Sequence, residues 1–582
     1  MSGKNIDSRN IKSGKIIPVE NYSDQPYVVK TDDGGWLLVV TTGAGTEGAT
    51  GQHVISMKSF DKGETWCNIT DVEKIENPES SYAVLYKTSF GRVYCFYNYN
   101  ADNLREVIAD DPPFKGGKCT RVDTQGHFVF KYSDDHGKSW SEKWYEIPQR
   151  LFDVDRNNPY GGKILYFWNV GKPLEINGGV CVPIYKIKKF GDGFMTNSEG
   201  ALLQCSTIND EKDPEKLVWK TLPDGDFGIK ADDSISKISE EHSFVRLSDN
   251  SIFCVFRTIS GSSYCCYSRD GGHSFTKPEP MRYANGRKMK HPRAANFIWK
   301  CENGNYLYWF HNHGGTWYDD RNPAWLSGAL EYPTADGMCL KFSQPEPVLY
   351  DDDVVIRMSY PDLVEEDGAY YITETQKNLA RVHLIDKTLI EGLWKQFEKT
   401  DAPKEGISLQ NGSDMPKIKP LIERDHTYPD ERSKSALTSF CFEFDVTPKE
   451  IDAELFSTLN EQDNGLCAVW NAKLELITFY MNDGRRAVLW DCDKNMLEIR
   501  KTHHVSIIVD GGANLIEFVI DGVLCDGGTQ RQFGFGRFDK YLLDINGKNQ
   551  ISVGDSVKNL TLYQRLITVS EAVEANSERT VL

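Results

Sequence analysis

Six stretches of this chain open on a polar or charged residue and run directly into an apolar hairpin. Asp24, Glu79, Asn169, Glu240, His291 and Arg357 stand at their heads. Residues of these types can move protons, bind hydroxyls or hold anions. A second set consists of the histidines His53, His242, His291, His311 and His313. The tripeptide "HNH" puts His311 and His313 on one face of a strand, where a third histidine nearby would complete a metal site. A third set is an octapeptide used three times: "SFDKGETW" at 59–66, "SDDHGKSW" at 133–140 and "SRDGGHSF" at 268–275. A catalytic group has no need to occur three times, so the octapeptide is expected to be structural. Its Ser and Asp side chains suit turn N–H groups, its Gly a positive φ, and its last aromatic a place beneath the turn.

What must position these groups is a set of strands. Each polar residue leads a strand, a turn centred on Gly or Asn, and a second strand, as in "DQPYVVKTDDGGWLLVVTT" and "EEHSFVRLSDNSIFCVFRT". Six copies at a spacing of about 50 to 90 residues predict a six-bladed β-propeller. In that fold the first strand of each blade lines the central channel, so the leading residues face the axis. The pattern stops near residue 385. The predicted organisation is a propeller over 1–385, a linker with a short helix over 386–435, and an all-β sandwich over 436–582. The stretch "HHVSIIVDGGANLIEFVIDGVL" looks like part of a concanavalin/laminin-G-type jelly-roll, for which support of the propeller is expected ahead of sugar binding.

Composition narrows the function classes. The 582 residues carry 12% aromatics and 48 Gly, which suits many short strands joined by tight turns. The net charge of −18 argues against a nucleic-acid partner, since a phosphate-binding surface needs a basic patch. No apolar run is long enough for a membrane span, and the start "MSGKNIDSRNIKSGK" lacks the apolar core of a secretory signal. The 14 cysteines are irregularly spaced and several lie within strand-like runs, so reduced, buried thiols and a cytoplasmic location are expected. No cofactor is called for; a metal on the channel histidines is a lesser alternative. Oligomeric state leaves no signal.

The octapeptide S-x-D-x-G-x-[ST]-[WF] resembles the Asp-box of the sialidase and BNR-repeat propellers, and the resemblance covers roughly residues 15–385. Sialidases use a tyrosine nucleophile activated by a glutamate, an aspartate as general acid/base, and three arginines on the substrate carboxylate. On that resemblance Tyr360, ahead of "PDLVEEDGAYYITET", is the nucleophile and Glu241, sixteen residues before Arg257, its base. Glu47, on the loop "GAGTEGATGQHVISMKS", falls near the family's acid/base, with His53 on the same loop as an alternative. Arg257 and Arg293 are implied substrate-binding arginines and Glu374 a supporting acid. Asp24, His242 and His291, where the chain departs from the family, and Arg357 and Asp362, which flank Tyr360, are further expected substrate contacts. Trp309 and Trp317 are candidate stacking surfaces.

A tyrosine suits an anomeric carbon beside a carboxylate, because an anionic nucleophile is repelled there. One departure bears on substrate. Where the family has an arginine in an R-I-P-like tripeptide, this chain has Asp24-Gln25-Pro26. The resemblance therefore implies a glycoside hydrolase on an oligosaccharide with an acidic or otherwise unusual sugar, rather than a strict sialidase. Two alternatives are a lyase, in which a Tyr/His pair removes the proton α to a uronate carboxylate, and a non-catalytic carbohydrate-binding propeller.

Overall fold

The structure is a computed structural model that describes residues 7–398, 405–418, 439–542 and 544–574. Six antiparallel sheets follow one another along the chain, and each is a blade. Their innermost strands are Tyr22–Lys30, Ser80–Lys87, Phe167–Trp168, Glu240–Arg246, Phe297–Lys300 and Ser359–Glu366. In blade 5 the strand begins at Phe297, so His291 lies on the loop before it rather than at its head. Side chains tie the inner strands across the ring. Gln25 in blade 1 donates to the Asn169 carbonyl in blade 3, and Asn169 donates to the Tyr82 carbonyl in blade 2. The ring is closed by the N-terminal strand Lys15–Ile17, which pairs with Ala380–Ile385 as the outermost strand of blade 6.

The three octapeptides form one hydrogen-bonded turn three times. In the first, Ser59 Oγ donates to Asp61 (2.8 Å) and accepts from the Gly63 amide (2.8 Å), while Asp61 accepts from the Thr65 amide (2.9 Å). The second and third repeat this with Ser133–Asp135 and Ser268–Asp270, both at 2.8 Å. Gly63, Gly137 and Gly272 all have positive φ, at 84°, 87° and 97°. A Cβ on Gly63 would strike Val382 of blade 6, and one on Gly137 would strike Leu37 of blade 1. Each of these turns thus braces its own hairpin and packs on the preceding blade. That is a scaffold role, remote from the axis.

After blade 6 comes an α-helix, Lys387–Lys395, capped by Asp386, whose side chain accepts from the Thr388 amide. Much of the expected linker 386–435 lies outside the described residues. Part of the rest is not linker: Ile407–Gln410 is a strand paired with Val557–Tyr563. That pairing places it in a seven-stranded sheet facing a five-stranded one over an apolar core of residues such as Phe442, Phe456, Trp470 and Phe518. Arg9 reaches Asp510 at 2.6 Å, Arg287 reaches Asp493 at 2.9 Å, and Trp325 packs on Phe535 with ring centres 5.4 Å apart. These contacts fasten the sandwich to the propeller. Among the described residues no helix is long and apolar enough to cross a membrane. The 14 cysteines are free thiols.

Candidate active site at the propeller axis

One backbone device recurs at the axis. In blades 1, 2, 4 and 6 the inner strand carries one residue more than its partner, with register shifts at Asp24/Tyr27, Ser81/Val84, Glu240/Ser243 and Ser359/Asp362. The extra residue makes a β-bulge, which bends the strand and re-aims a side chain. At the equivalent position of all four bulges stands a non-glycine residue with φ in the left-handed region: Gln25 (54°), Tyr82 (57°), Glu241 (53°) and Tyr360 (48°). Such a conformation costs on the order of 1–3 kcal/mol and persists only where the surroundings enforce it. In blades 1 and 6 a proline follows, Pro26 and Pro361, which a bulge tolerates because it spares a ladder N–H.

These bulges bring Tyr360 and Glu241 together. The Tyr360 hydroxyl donates to Glu241 Oε1 at 2.8 Å, and both residues are buried. Burial raises the Tyr360 pKa and the Glu241 charge adds to it, against the opposing pull of Lys377 and Arg257, so the phenol is neutral until a base takes its proton. Arg257, at the end of the second strand of blade 4, contacts Glu241 at 2.7 Å and Glu240 at 2.9 Å. Arg293 contacts Glu240 at 2.7 Å. Burial alone would raise the Glu240 pKa, but Arg293 and Arg257 outweigh it and hold the carboxyl below its ordinary range.

Six residues not singled out from the sequence complete the cluster. Lys377, on the turn after the second strand of blade 6, has its ammonium 2.5 Å from Asp24, 3.3 Å from Glu47 and 4.3 Å from the centre of the Tyr360 ring. Arg121 meets Glu47 at 3.1 Å and Asp123 at 2.7 Å, and the Tyr82 hydroxyl donates to Asp123 at 2.6 Å. Arg321 donates to Ser359 Oγ (2.8 Å) beside Tyr360 and to the Arg293 carbonyl (3.3 Å). Tyr318 lies against Arg293, 4.7 Å from guanidinium to ring centre. Only Tyr82 carried a sequence signal, since it follows Ser80-Ser81 at the head of a hairpin as Tyr360 follows Ser359. Lys377, Arg121 and Asp123 sit on loops with no periodicity to mark them.

Glu47 reaches the cluster, but as an ion-paired carboxylate. Burial would raise its pKa, yet Lys377 and Arg121 together hold it far below the usual carboxylate range. A free general acid it is not. Asp24 accepts from Tyr22 at 2.7 Å as well as from Lys377; burial raises its pKa, Glu47 adds to this, and Lys377 opposes.

The remaining expected site residues point elsewhere. His53 contacts the Gly51 carbonyl at 3.2 Å and Glu20 at 3.8 Å. His242 contacts the Ile229 carbonyl at 2.9 Å and stacks on Phe256, and His291 contacts the Ala294 carbonyl at 2.9 Å. Burial pulls both of these rings down to about 3, so they stay neutral and serve packing. His311 and His313 contact the carbonyls of Pro323 and Asp320, and no group of three His, Cys, Asp or Glu that could hold a metal occurs among the described residues. Asp362 is bound to Lys172 at 2.8 Å and to the Val28 amide, which makes it an inter-blade tie. Arg357 lies 3.6 Å from Asp319 with its side chain 46% exposed. Glu374 pairs with His383 at 3.0 Å rather than with Tyr360. Trp309 is fully buried core, whereas Trp317 is 48% exposed beside Arg293.

The sandwich reaches this side of the site. The Gly314 amide, three residues before Trp317, donates to the Gln532 carbonyl at 2.9 Å, and Arg537 donates to the Asn322 carbonyl. The segment carrying Trp317, Tyr318 and Arg321 is therefore anchored at both ends by the second β unit.

Fold and axis together define a six-bladed propeller with a buried Tyr–Glu pair enclosed by ion-paired arginines. No protein-family model matches the sequence, and no curated protein matches it. Among solved structures it is similar to the intramolecular trans-sialidase from Ruminococcus gnavus, with 14% identity over 66% of this chain and 99% of that one, at a TM-score of 0.46. It is also similar to Trypanosoma rangeli sialidase, with 12% identity over 96% of this chain and 94% of that one, at a TM-score of 0.42. A protein of unknown function from Dyadobacter fermentans is similar with 16% identity over 64% of this chain and 97% of that one, at a TM-score of 0.44.

Proposed function

We propose that this protein is a glycoside hydrolase that cleaves an oligosaccharide at the propeller axis, with Tyr360 as nucleophile and Glu241 as its base. The observation that carries the reading is the 2.8 Å hydrogen bond from the Tyr360 hydroxyl to Glu241. A neutral phenol is a weak nucleophile, and a carboxylate already accepting its hydrogen bond can take the proton as the bond to the anomeric carbon forms. Arg257 steadies Glu241 and offsets the charge left on the phenolate. The leaving-group proton is assigned to the Asp24–Lys377–Glu47 cluster, since Glu47 by itself is held ionised. The lyase alternative calls for a histidine beside the tyrosine. The nearest histidines in sequence to Glu241 and Arg293 turn their rings to backbone carbonyls, which favours the hydrolase reading.

The test is turnover of a panel of aryl glycosides, neutral and acidic, by the wild-type chain and by Tyr360→Phe and Glu47→Gln. Hydrolysis of at least one member, abolished in Tyr360→Phe, supports the reading. Turnover unchanged in both variants, or an unsaturated ultraviolet-absorbing product, overturns it.

A further inference from the structure

The charges around the axis pair off almost completely. Arg257 and Arg293 share Glu240, Lys377 bridges Asp24 and Glu47, and Arg121 bridges Glu47 and Asp123. Arg321 contacts no carboxylate among the described ion pairs, and its N–H groups donate to the Tyr318 carbonyl, Ser359 Oγ and the Arg293 carbonyl. A substrate carboxylate entering here meets Arg257 and Arg293 already held by Glu240, and only Arg321 has no carboxylate partner among the described ion pairs. To engage Arg257 or Arg293 it would have to displace Glu240, which is fully buried between them. Breaking such a pair strands a desolvated charge.

Hydrogen bonding is incomplete on both sides: the donor Arg257 Nη1, though 2.7 Å from Glu241, makes no hydrogen bond, and three acceptors make none. Asp24 Oδ1, Gln25 Oε1 and Glu241 Oε2 are buried and have no hydrogen-bond partner within the protein, and their residues are 0%, 1% and 1% exposed. Buried acceptors without donors are rare and costly. These three belong to one cluster: Gln25 adjoins Asp24, and Lys377 connects Asp24 to the ring of Tyr360, which bonds Glu241. What they lack is donors, which sugar hydroxyls supply without adding charge. At the rim, the half-exposed Trp317 offers an apolar face for a pyranose ring.

We propose that the sugar held at the axis is uncharged: a neutral pyranose whose hydroxyls donate to Asp24 Oδ1, Gln25 Oε1 and Glu241 Oε2, and not a sialic acid or a uronate. This rests on reading the axis as a sugar site, and it narrows the acidic-or-unusual sugar expected from the sequence to the neutral class. Glu240 is then a specificity residue, because it occupies the two arginines that a carboxylated sugar would need.

The experiment is calorimetric titration of the full chain carrying Tyr360→Phe, so that binding is read without turnover. The probes are methyl glycosides of glucose, galactose, mannose and N-acetylglucosamine, the methyl uronides of the three hexoses, and sialic acid. At least one neutral glycoside is expected to bind saturably, with its uronide weaker by about tenfold or more. Adding Glu240→Gln is expected to raise uronide affinity by about tenfold, as Arg293 is released and Arg257 is left with Glu241 alone. Where Glu240→Gln fails to fold, the comparison of neutral with carboxylated sugars in Tyr360→Phe alone decides. A carboxylated sugar bound more tightly than its neutral counterpart overturns the proposal, and so does the absence of binding by every neutral probe. The hydrolase reading fails separately: a neutral sugar bound by Tyr360→Phe but whose aryl glycoside the wild type leaves intact defeats that reading and leaves this one standing.

Discussion

Tyr360 and Glu241, 119 residues apart in sequence, meet at 2.8 Å because each sits at the crest of the same bulge on a different blade. Their φ values of 48° and 53° are what an ordinary strand residue would avoid. The strain is local, while the contact it creates spans the channel. Glu241→Gln keeps the shape and removes the base proposed for Tyr360. It is expected to lower kcat by about 100-fold or more with KM little changed. Combined with Tyr360→Phe it should cost scarcely more than Tyr360→Phe alone, since the two act as one unit. Additive losses in steady-state kinetics of the three variants would refute the coupling.

Lys377 joins two carboxylates of blade 1 to the Tyr360 ring of blade 6, and its side chain is only 19% exposed. Lys377→Met leaves Asp24 buried without its cation, so a loss of about 3–5 kcal/mol in urea unfolding is expected. Asp24→Asn in the same chain should recover part of that loss. A double variant less stable than Lys377→Met would show that the pair is not the source.

The buried histidines set a pH dependence. His242 and His291 titrate at about 3 in the folded chain, because burial opposes their charge, against about 6.5 when unfolded. Between those values the unfolded state binds more protons, so stability rises with pH and falls as pH drops from about 6.5 towards 3. Each ring contributes a slope of about 1.4 kcal/mol per pH unit within that window. Denaturant midpoints for His242→Phe measured from pH 4 to 7 should show a shallower fall than wild type. An identical slope would contradict the assignment.

Glu240 acts in the same direction over a lower window. Its pKa is lowered in the fold, because Arg293 and Arg257 outweigh burial, so its stabilisation is complete above the ordinary carboxylate pKa of about 4.3 and is lost as pH falls below it. Glu240→Gln should therefore be destabilising at pH 7 and progressively less so towards pH 3. A penalty independent of pH would count against the ion pair as its cause.

The octapeptide turns provide the contrasting control. Asp61 accepts from the Ser59 hydroxyl and from the amide and hydroxyl of Thr65, all within its own turn. Asp61→Ala is expected to cost about 1–3 kcal/mol of stability and to leave kcat/KM unchanged below the melting transition. A large loss of activity in a fully folded variant would give the turn a role beyond bracing.

Much of the architecture was legible because it is locally encoded. A polar head, an alternating strand and a Gly or Asn turn, six times over, are enough to phase the blades, and the octapeptide repeats confirm the phase. That phase put Tyr360 and Glu241 at strand heads, and there they stand. His242 and Asp362, one and two residues from Glu241 and Tyr360, were expected at the axis and instead bond the Ile229 carbonyl and the Val28 amide. A bulge changes which way successive side chains point, and the sequence does not announce the bulge.

What the sequence by itself determined is the scaffold and the placing of Tyr360 and Glu241 at strand heads, because strand period, turn chemistry and blade phase are short-range properties. What only the tertiary structure decided is the electrostatic state of the site. The partner of Asp24 is Lys377, 353 residues away on another blade, and the partners of Glu47 are Lys377 and Arg121 on separate loops. Whether a buried carboxyl is an acid or a counter-ion depends on which cations lie within a few ångströms of it. Only the closed ring brings them there.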